Sequence, residues 1–200
     1  MNKMTNSKSA RVSACLVMLV MLVSMTSDVQ GQALSKPIKI DCVAFGTQTQ
    51  MGKTFNVKII INEFSEPSDR DILLEAFKKA GNQGVYNAVT KMQSKGRLSM
   101  PGTVGYDVNY VREITSASGR TIRMVTNRPI SIGEVWSNSR SKGYDLSIIE
   151  INLSNDKDTK PKGTLLPAAR LRIDKKTGEI ELETYKFPWR LDNVVVWGEK

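Results

Sequence analysis

Residues 46–54 contain two glycines, a lysine and a threonine in the order found in a phosphate-binding P-loop. A P-loop has four residues between its glycines, because the backbone N–H groups between them must close around the phosphates. Here five residues separate Gly46 from Gly52. A helix should also follow, with its N-terminus facing the anion, whereas residues 55–61 carry apolar side chains at every second position, as a strand does. The segment is therefore predicted to be a hairpin loop without phosphate chemistry.

Ser139 and Lys142 have the Ser-x-x-Lys spacing of penicillin-recognising serine enzymes, and residues 176–178 supply the Lys-Thr-Gly motif that accompanies it. In those enzymes the serine opens a long helix, and a Ser-Asp-Asn element completes the site. Ser139 lies instead in a polar stretch with the character of a loop, and the chain has no Ser-Asp-Asn element. We interpret both matches as chance.

The chain contains no histidine. This excludes histidine activation of a serine or cysteine nucleophile, histidine general-base catalysis and histidine ligation of a metal. Cys42 is the one cysteine beyond the first 33 residues, which excludes a thiolate zinc site in that part of the chain. We therefore expect no metal ligands, no cofactor and no catalytic residue of these types.

Catalysis by carboxylates alone, as in glycosidases, remains open. Glu179, Glu181 and Glu183 alternate along one predicted strand, which is typical of a solvated face. The carboxylates of residues 69–75 fall in the first turns of a predicted helix, where they stabilise the helix dipole. Neither cluster requires a catalytic explanation, so the sequence names no catalytic residue.

Two segments place aromatic rings beside cations, a combination that binds sugars and anionic head groups. The candidate ligand-binding residues are Trp136, Arg140 and Tyr144 in the first segment, and Trp189 and Arg190 in the second. The alternative is that Trp136 and Trp189 close the ends of a hydrophobic core, since large aromatic side chains mostly serve packing.

The elements that must position these residues are mainly strands. Alternating apolar residues predict a first hairpin over residues 38–45 and 55–62. Helical spacing then predicts one helix that ends at Gly81 and a second, shorter helix over about residues 83–93. Further strands are predicted over residues 104–110, 122–126, 145–153, 169–173, 180–182 and 191–197.

This order of elements predicts an α+β fold. The sheet is expected to be antiparallel, with about seven to eight strands in a sandwich- or barrel-like arrangement and a two-helix insertion after the first hairpin. The apolar alternation slips at Ile148 and Ile149, which predicts a β-bulge there.

The first 33 residues have the pattern of a cleavable export signal. Three basic residues precede an uncharged apolar run, residues 14–25, and small residues follow. A membrane-spanning helix needs about 20 apolar residues, so the run is too short to be an anchor. We expect a signal peptide over residues 1–33, cleaved near Ala33, and a single β-rich α+β domain over residues 34–200. That domain would work in the periplasm or outside the cell without a transmembrane span.

The formal net charge of +9 favours an anionic partner. Export argues against a nucleic acid, as does the lack of interleaved basic and aromatic residues. We expect the partner to be an anionic envelope polymer or lipid, or another exported protein.

Three stretches of the chain resemble a group of uncharacterised exported bacterial proteins of unknown function. The stretches are residues 68–81 (SDRDILLEAFKKAG), 127–131 (NRPIS) and 190–194 (RLDNV). They are spread over most of the region that follows the predicted signal. The group has no established activity, so the resemblance assigns no functional residue.

Together these observations predict an exported non-enzymatic protein, either a binding module or an envelope-associated structural factor. The alternative is a carboxylate-dependent hydrolase acting on a cell-wall or carbohydrate polymer. Such an enzyme needs two carboxyl groups that face each other across a cleft, about 5–10 Å apart.

Protein recovered from an exported fraction is expected to begin near Leu34 or Gln32, because Ala33 and Gly31 are small residues that suit the signal peptidase. Intact-mass spectrometry measures the new N-terminus directly. A mass that still includes residues 1–24 would contradict export.

Overall fold

The computed structural model describes residues 33–132, 143–173, 180–184 and 187–198. Its strands are β1 (Ala33–Phe45), β2 (Thr54–Glu63), β3 (Gly96–Ser99), β4 (Tyr106–Ser116), β5 (Gly119–Thr126), β6 (Leu146–Ser154), β7 (Lys162–Ile173), β8 (Ile180–Thr184) and β9 (Trp189–Trp197). An α-helix, α1 (Pro67–Lys91), follows β2, and a single 3-10 turn, Gln48–Gln50, lies in the β1–β2 connection.

Eight of the strands form a closed antiparallel barrel in the order β1, β2, β3, β4, β5, β6, β7 and β9. The ring closes because β9 pairs with both β7 and β1. The remaining strand, β8, lies outside the barrel and pairs with the second half of β7. The predicted antiparallel sheet and the β1–β2 hairpin are confirmed, and the sheet is a barrel rather than a sandwich.

The alternation of side chains along each strand decides what lies inside the barrel. On β1 the inward positions are taken by Ile40, Cys42 and Ala44, and on β2 by Val57 and Ile59, all of them buried. All eight barrel strands contribute to this one apolar cluster. Burying each such side chain stabilises the fold by about 1.5–3 kcal/mol for the larger aliphatic residues. The interior is therefore a packed core.

A single helix stands where the sequence predicted two. Gly81 was expected to end the first helix. It adopts a left-handed φ of 56°, and Ala80 is also non-helical, but the helix resumes and continues to Lys91. Glycine tolerates this conformation because it has no Cβ. The two-helix prediction is thus wrong: Gly81 kinks one helix, and side chains on both sides of the kink pack on the same barrel surface.

Helix α1 covers the outer face of one half of the barrel. Phe77, Val85 and Val89 share an apolar cluster with outward-facing residues of β4–β7, among them Val125 and Ile148. Within the part of the chain that the structure describes, α1 is not long and apolar enough to cross a membrane, and neither is any other helix.

Strand β6 is consequently buried on both faces. Ile148 lies under the helix, whereas Ile149 points into the barrel and is fully buried. The register of β6 with β7 shifts between Leu146 and Ile148, close to the predicted bulge. Two features therefore explain why consecutive residues of β6 are apolar. The register with β7 shifts at this point, and both faces of the strand are buried.

The outward side chains of β9, β1, β2 and β3 are exposed or half-buried. We call this surface the open face. Its outward positions include Lys39, Asp41, Val43, Asn56, Lys58, Ile60, Arg97, Ser99, Val195 and Trp197. The barrel thus has one half covered by apolar contacts with α1 and one half that presents mainly polar side chains to solvent.

Cys42 lies in the barrel core, 4% exposed, and burial, with a smaller contribution from the Asp41 carboxylate, raises the pKa of its thiol to about 12. Because the thiolate is the reactive form, only about one molecule in ten thousand would carry it at a pH of about 8. In a Cys15→Ser chain, thiol reagents should label the native protein slowly and the denatured protein quickly.

Mass spectrometry over time measures this labelling. A Cys15→Ser, Cys42→Ser, Val195→Cys chain is the matched control, because position 195 lies on the same barrel but is 44% exposed. Labelling of native Cys42 as fast as that of the control would contradict its position inside the barrel.

Candidate functional site

Of the five predicted ligand-binding residues, the three that the structure describes, Tyr144, Trp189 and Arg190, do not form one cluster. Trp136 and Arg140 lie outside the described residues. Tyr144 lies just before β6, which pairs with one edge of β7. Trp189 lies in β9, where it pairs with Leu165 at the other edge of β7. Their side chains belong to different clusters: Trp189 lies in the barrel core, and Tyr144 packs with Ala168 in a separate small cluster.

Trp189 lies in the barrel core, 2% exposed. Its ring centroid is 5.2 Å from that of Phe55, with the two planes tilted by 45°. This arrangement is the packing role that the sequence left open as the alternative to ligand binding. Arg190, next along β9, is exposed, donates a hydrogen bond to the Asp192 carboxylate and stands 5.5 Å from the centroid of the Phe45 ring.

Tyr144 belongs to a small polar network on the second half of β7, on the face of the strand opposite to Ala169 and Leu171, which pack against α1. Its hydroxyl donates to Glu183 Oε1 at 2.6 Å, and the Arg170 guanidinium lies 4.7 Å from the centroid of its ring. Arg170 also donates to both Glu183 oxygens, through Nε at 3.1 Å and Nη2 at 3.0 Å. Bidentate pairs of this kind fix geometry strongly. The network ties β8 to β7 and uses the polar atoms that a ligand would otherwise contact.

A groove of about 560 Å³ opens on the open face of the barrel. We call it the outer groove. Its polar lining residues are Asp41 of β1, Asn56 and Lys58 of β2, Ser99 of β3 and Asn193 of β9, and Met100 and Pro101 form part of its wall. The volume falls within the range of about 300–1,000 Å³ that is usual for small-molecule sites.

Two local irregularities create the outer groove. On one side the ladder between β2 and β3 ends at the pair Lys58–Ser99, and Pro101 follows, a residue that cannot donate a ladder hydrogen bond. On the other side β9 is bulged: Asn193 has a φ of 53°, opposite a register shift between Asp41 and Val43. Asparagine is among the few residues that adopt this conformation readily.

The bulge at Asn193 also reverses the faces of β9. Trp189 and Trp197 are eight residues apart, so in a regular strand both side chains would lie on the same face. With one extra residue between them, Trp189 points into the core and Trp197 is 57% exposed on the open face. The indole N–H of Trp197 donates to Asp41 Oδ2 at 3.1 Å, so its ring lies beside the outer groove. Sequence reasoning missed Trp197 because this change of face has no local signal except Asn193.

Several polar side chains that line the outer groove are available to form hydrogen bonds with a ligand. The side chains of Asn56, Lys58 and Asn193 are exposed, and none makes a hydrogen bond or ion pair with another described residue. Asp41 accepts the Trp197 bond and retains a second oxygen. The groove can therefore donate to and accept from a polar ligand without breaking internal contacts.

A second groove of about 410 Å³ lies between the β4–β5 turn and the β6–β7 loop, and we call it the rim groove. Arg120, Lys160 and Lys162 line it together with several hydroxyl side chains. Arg120 is paired with Glu113 at 3.2 Å. In the β6–β7 loop, the Asp156 carboxylate accepts hydrogen bonds from the backbone N–H of Asp158 and from the Thr159 hydroxyl, and these bonds lower its pKa. Glu113 thus offsets the charge of one of the three cations that line this groove.

Neither groove has the carboxylate pair that a glycosidase-type hydrolase requires. Among the residues described, Asp41 is the one carboxylate that lines the outer groove, and none lines the rim groove. Across the described ranges, no three side chains of the metal-binding types come close enough together to hold a metal ion.

No protein-family model matches the chain, and no curated protein or solved structure shows similarity to it. The resemblance to exported bacterial proteins therefore stays a prediction, and the site has to be assessed from its own geometry.

Replacing Trp189 by alanine should lower the free energy of unfolding by about 3–5 kcal/mol, because it removes a buried aromatic side chain from the core. The matched control is Trp197→Ala, which changes the same residue type on the same strand at an exposed position and should cost about 0.5 kcal/mol or less. Denaturant unfolding measures both values. Equal losses in the two variants would contradict the assignment of opposite faces.

Proposed function

We propose that this protein is an exported, non-enzymatic binding module whose ligand occupies the outer groove. The observation that carries the proposal is the polar lining of that groove. Asn56, Lys58 and Asn193 present exposed polar atoms without internal partners among the described residues. Polar groups that converge on a groove of this size fix the orientation of a ligand and provide specificity.

The packed barrel interior supports a ligand site on the outside. Apolar side chains from all eight barrel strands meet in one cluster, with Trp189, Ile40 and Leu98 almost completely buried. Barrels of eight strands have an interior just wide enough for side chains to fill or to hold one small ligand. Here the side chains take that space, which leaves the outer surface for binding.

The chemistry of the groove supports binding rather than catalysis. Without histidine, a base or nucleophile would have to come from a carboxylate or a perturbed lysine or cysteine. Asp41 holds the indole of Trp197, and the Cys42 thiol is buried with its pKa raised to about 12. Lys58 is exposed to solvent. These side chains can orient a ligand, but none is set up to activate one.

The proposal is tested by co-sedimentation of the purified protein with insoluble cell-envelope polymer. Asn56→Phe places a ring in the outer groove and should weaken binding about tenfold or more, equivalent to about 1.4 kcal/mol. The matched control is Asn62→Phe, because Asn62 is an exposed asparagine on the same strand and lies outside the groove.

Equal binding by Asn56→Phe and Asn62→Phe would contradict the groove as the binding site. Failure of the unaltered protein to sediment with the polymer would contradict an envelope-binding function. Release of soluble saccharide from the polymer over time would instead establish the hydrolase.

A further inference from the structure

We propose that the outer groove and Trp197 together bind an acidic saccharide polymer. A sugar ring stacks on the exposed indole, the acidic groups of the polymer pair with Lys39 and Lys58, and the asparagines of the groove hydrogen-bond the sugar hydroxyls. This inference rests on the proposed function and names the ligand class of the same site.

Trp197 provides the stacking surface. A single exposed aromatic side chain is ordinary on a protein surface, but this ring is held by the hydrogen bond from its Nε1 to Asp41 Oδ2 at 3.1 Å. Its strand neighbour Val195 is 44% exposed and extends the apolar area toward the groove. A ring whose orientation is already fixed loses little conformational freedom when a ligand stacks on it.

Two lysines flank this surface on adjacent strands. Lys39 is the cross-strand partner of Trp197, and Lys58 is the cross-strand partner of Asp41. Both are exposed, and in the described part of the chain neither amino group has a carboxylate within ion-pair distance. Several other cations of the barrel are paired, such as Arg97 with Asp107 and Arg123 with Glu150.

The balance of charge favours an acidic ligand over a neutral one. Asp41 contributes one negative charge beside the two lysines, and its Oδ2 is already occupied by Trp197. The excess positive charge thus lies next to the aromatic ring. A ring with a neighbouring cation suits a ligand that combines an apolar sugar face with an acidic group.

The shape of the site favours a polymer over a single sugar. The open face from β9 across β1 and β2 to β3 covers three inter-strand spacings, about 14 Å in all. The groove is open to solvent along this path, so a chain can pass over it and contact Trp197 at one side and Ser99 at the other.

The probe is polygalacturonate, an acidic polysaccharide. Three comparison ligands are tested beside it: dextran is a neutral polysaccharide, and polyphosphate is a polyanion without sugar rings. Vesicles rich in anionic lipid test for a lipid ligand. Isothermal titration calorimetry of the full chain measures binding. The unaltered protein should bind polygalacturonate at least about tenfold more tightly than dextran or polyphosphate. Binding should weaken as salt is added, because surface charges are screened.

The variants separate stacking from charge. Trp197→Ala should weaken binding about tenfold or more, and Trp197→Phe should retain most of it, because phenylalanine restores a flat ring. Lys39→Gln and Lys58→Gln should each weaken binding and reduce its dependence on salt. Lys160→Gln, in the rim groove, is the matched control and should leave binding unchanged. Denaturant unfolding checks that each variant is folded.

Several results would overturn this inference. Three results would each contradict an acidic saccharide ligand. The first is no binding of polygalacturonate, and the second is equally tight binding of dextran. The third is equally tight binding of polyphosphate that Trp197→Ala does not weaken. Binding to the vesicles alone, lost in Trp197→Ala, would replace it with a lipid. If Asn56→Phe abolishes binding to envelope polymer but Trp197→Ala has no effect, this inference fails while the proposed function stands.

Discussion

The pairing of β9 with β1 is the constraint on which the rest of the structure depends. It joins segments near the two ends of the described chain, with Lys39 opposite Trp197 and Phe45 opposite Arg190. By closing the barrel it removes the two free edges that an open sheet of these eight strands would have, where backbone groups would be left unpaired. It also gives each of the eight barrel strands an inner and an outer side. The inner side is filled by the core, so the outer side is where contacts with other molecules can form.

The single helix divides the outer side into two halves. Outward residues under α1, such as Val125 and Ile148, are apolar and buried, whereas Lys39, Lys58 and Asn56 occupy outward positions on the open face. The bulge at Asn193 places the polar groove and the ring of Trp197 on the same half. One residue in a left-handed conformation thus assigns the two tryptophans of β9 to opposite roles, one in packing and one at the surface.

The sequence predicts most of the local structure because local structure depends on neighbouring residues. Alternation in β1 and β2 correctly predicts their hairpin, and helical spacing correctly places α1 after β2. Strand β3 has only four residues, too few for a period to be recognised. Gly81 carries the usual signal for a helix end and does interrupt the helical conformation, but the helix resumes at once, and side chains on both sides of the kink pack on the same barrel surface. The closure of β9 on β1 joins distant segments and has no local signal.

The candidate site was predictable only in part, because contacts between distant segments of the chain decide which of its residues come together. Trp189 and Arg190 have the aromatic and basic character of a binding segment, yet the register of β9 puts Trp189 in the core. Trp197 and Asp41 are far apart in the chain, and only barrel closure brings them together.

Hydrogen exchange with and without a soluble acidic polysaccharide tests most directly whether the open face binds the ligand. Slower exchange confined to β1, β2 and β9 around the outer groove, with α1 unchanged, is the expected result. Slower exchange in α1 and in the strands beneath it, with none at the groove, would contradict the open face as the binding surface.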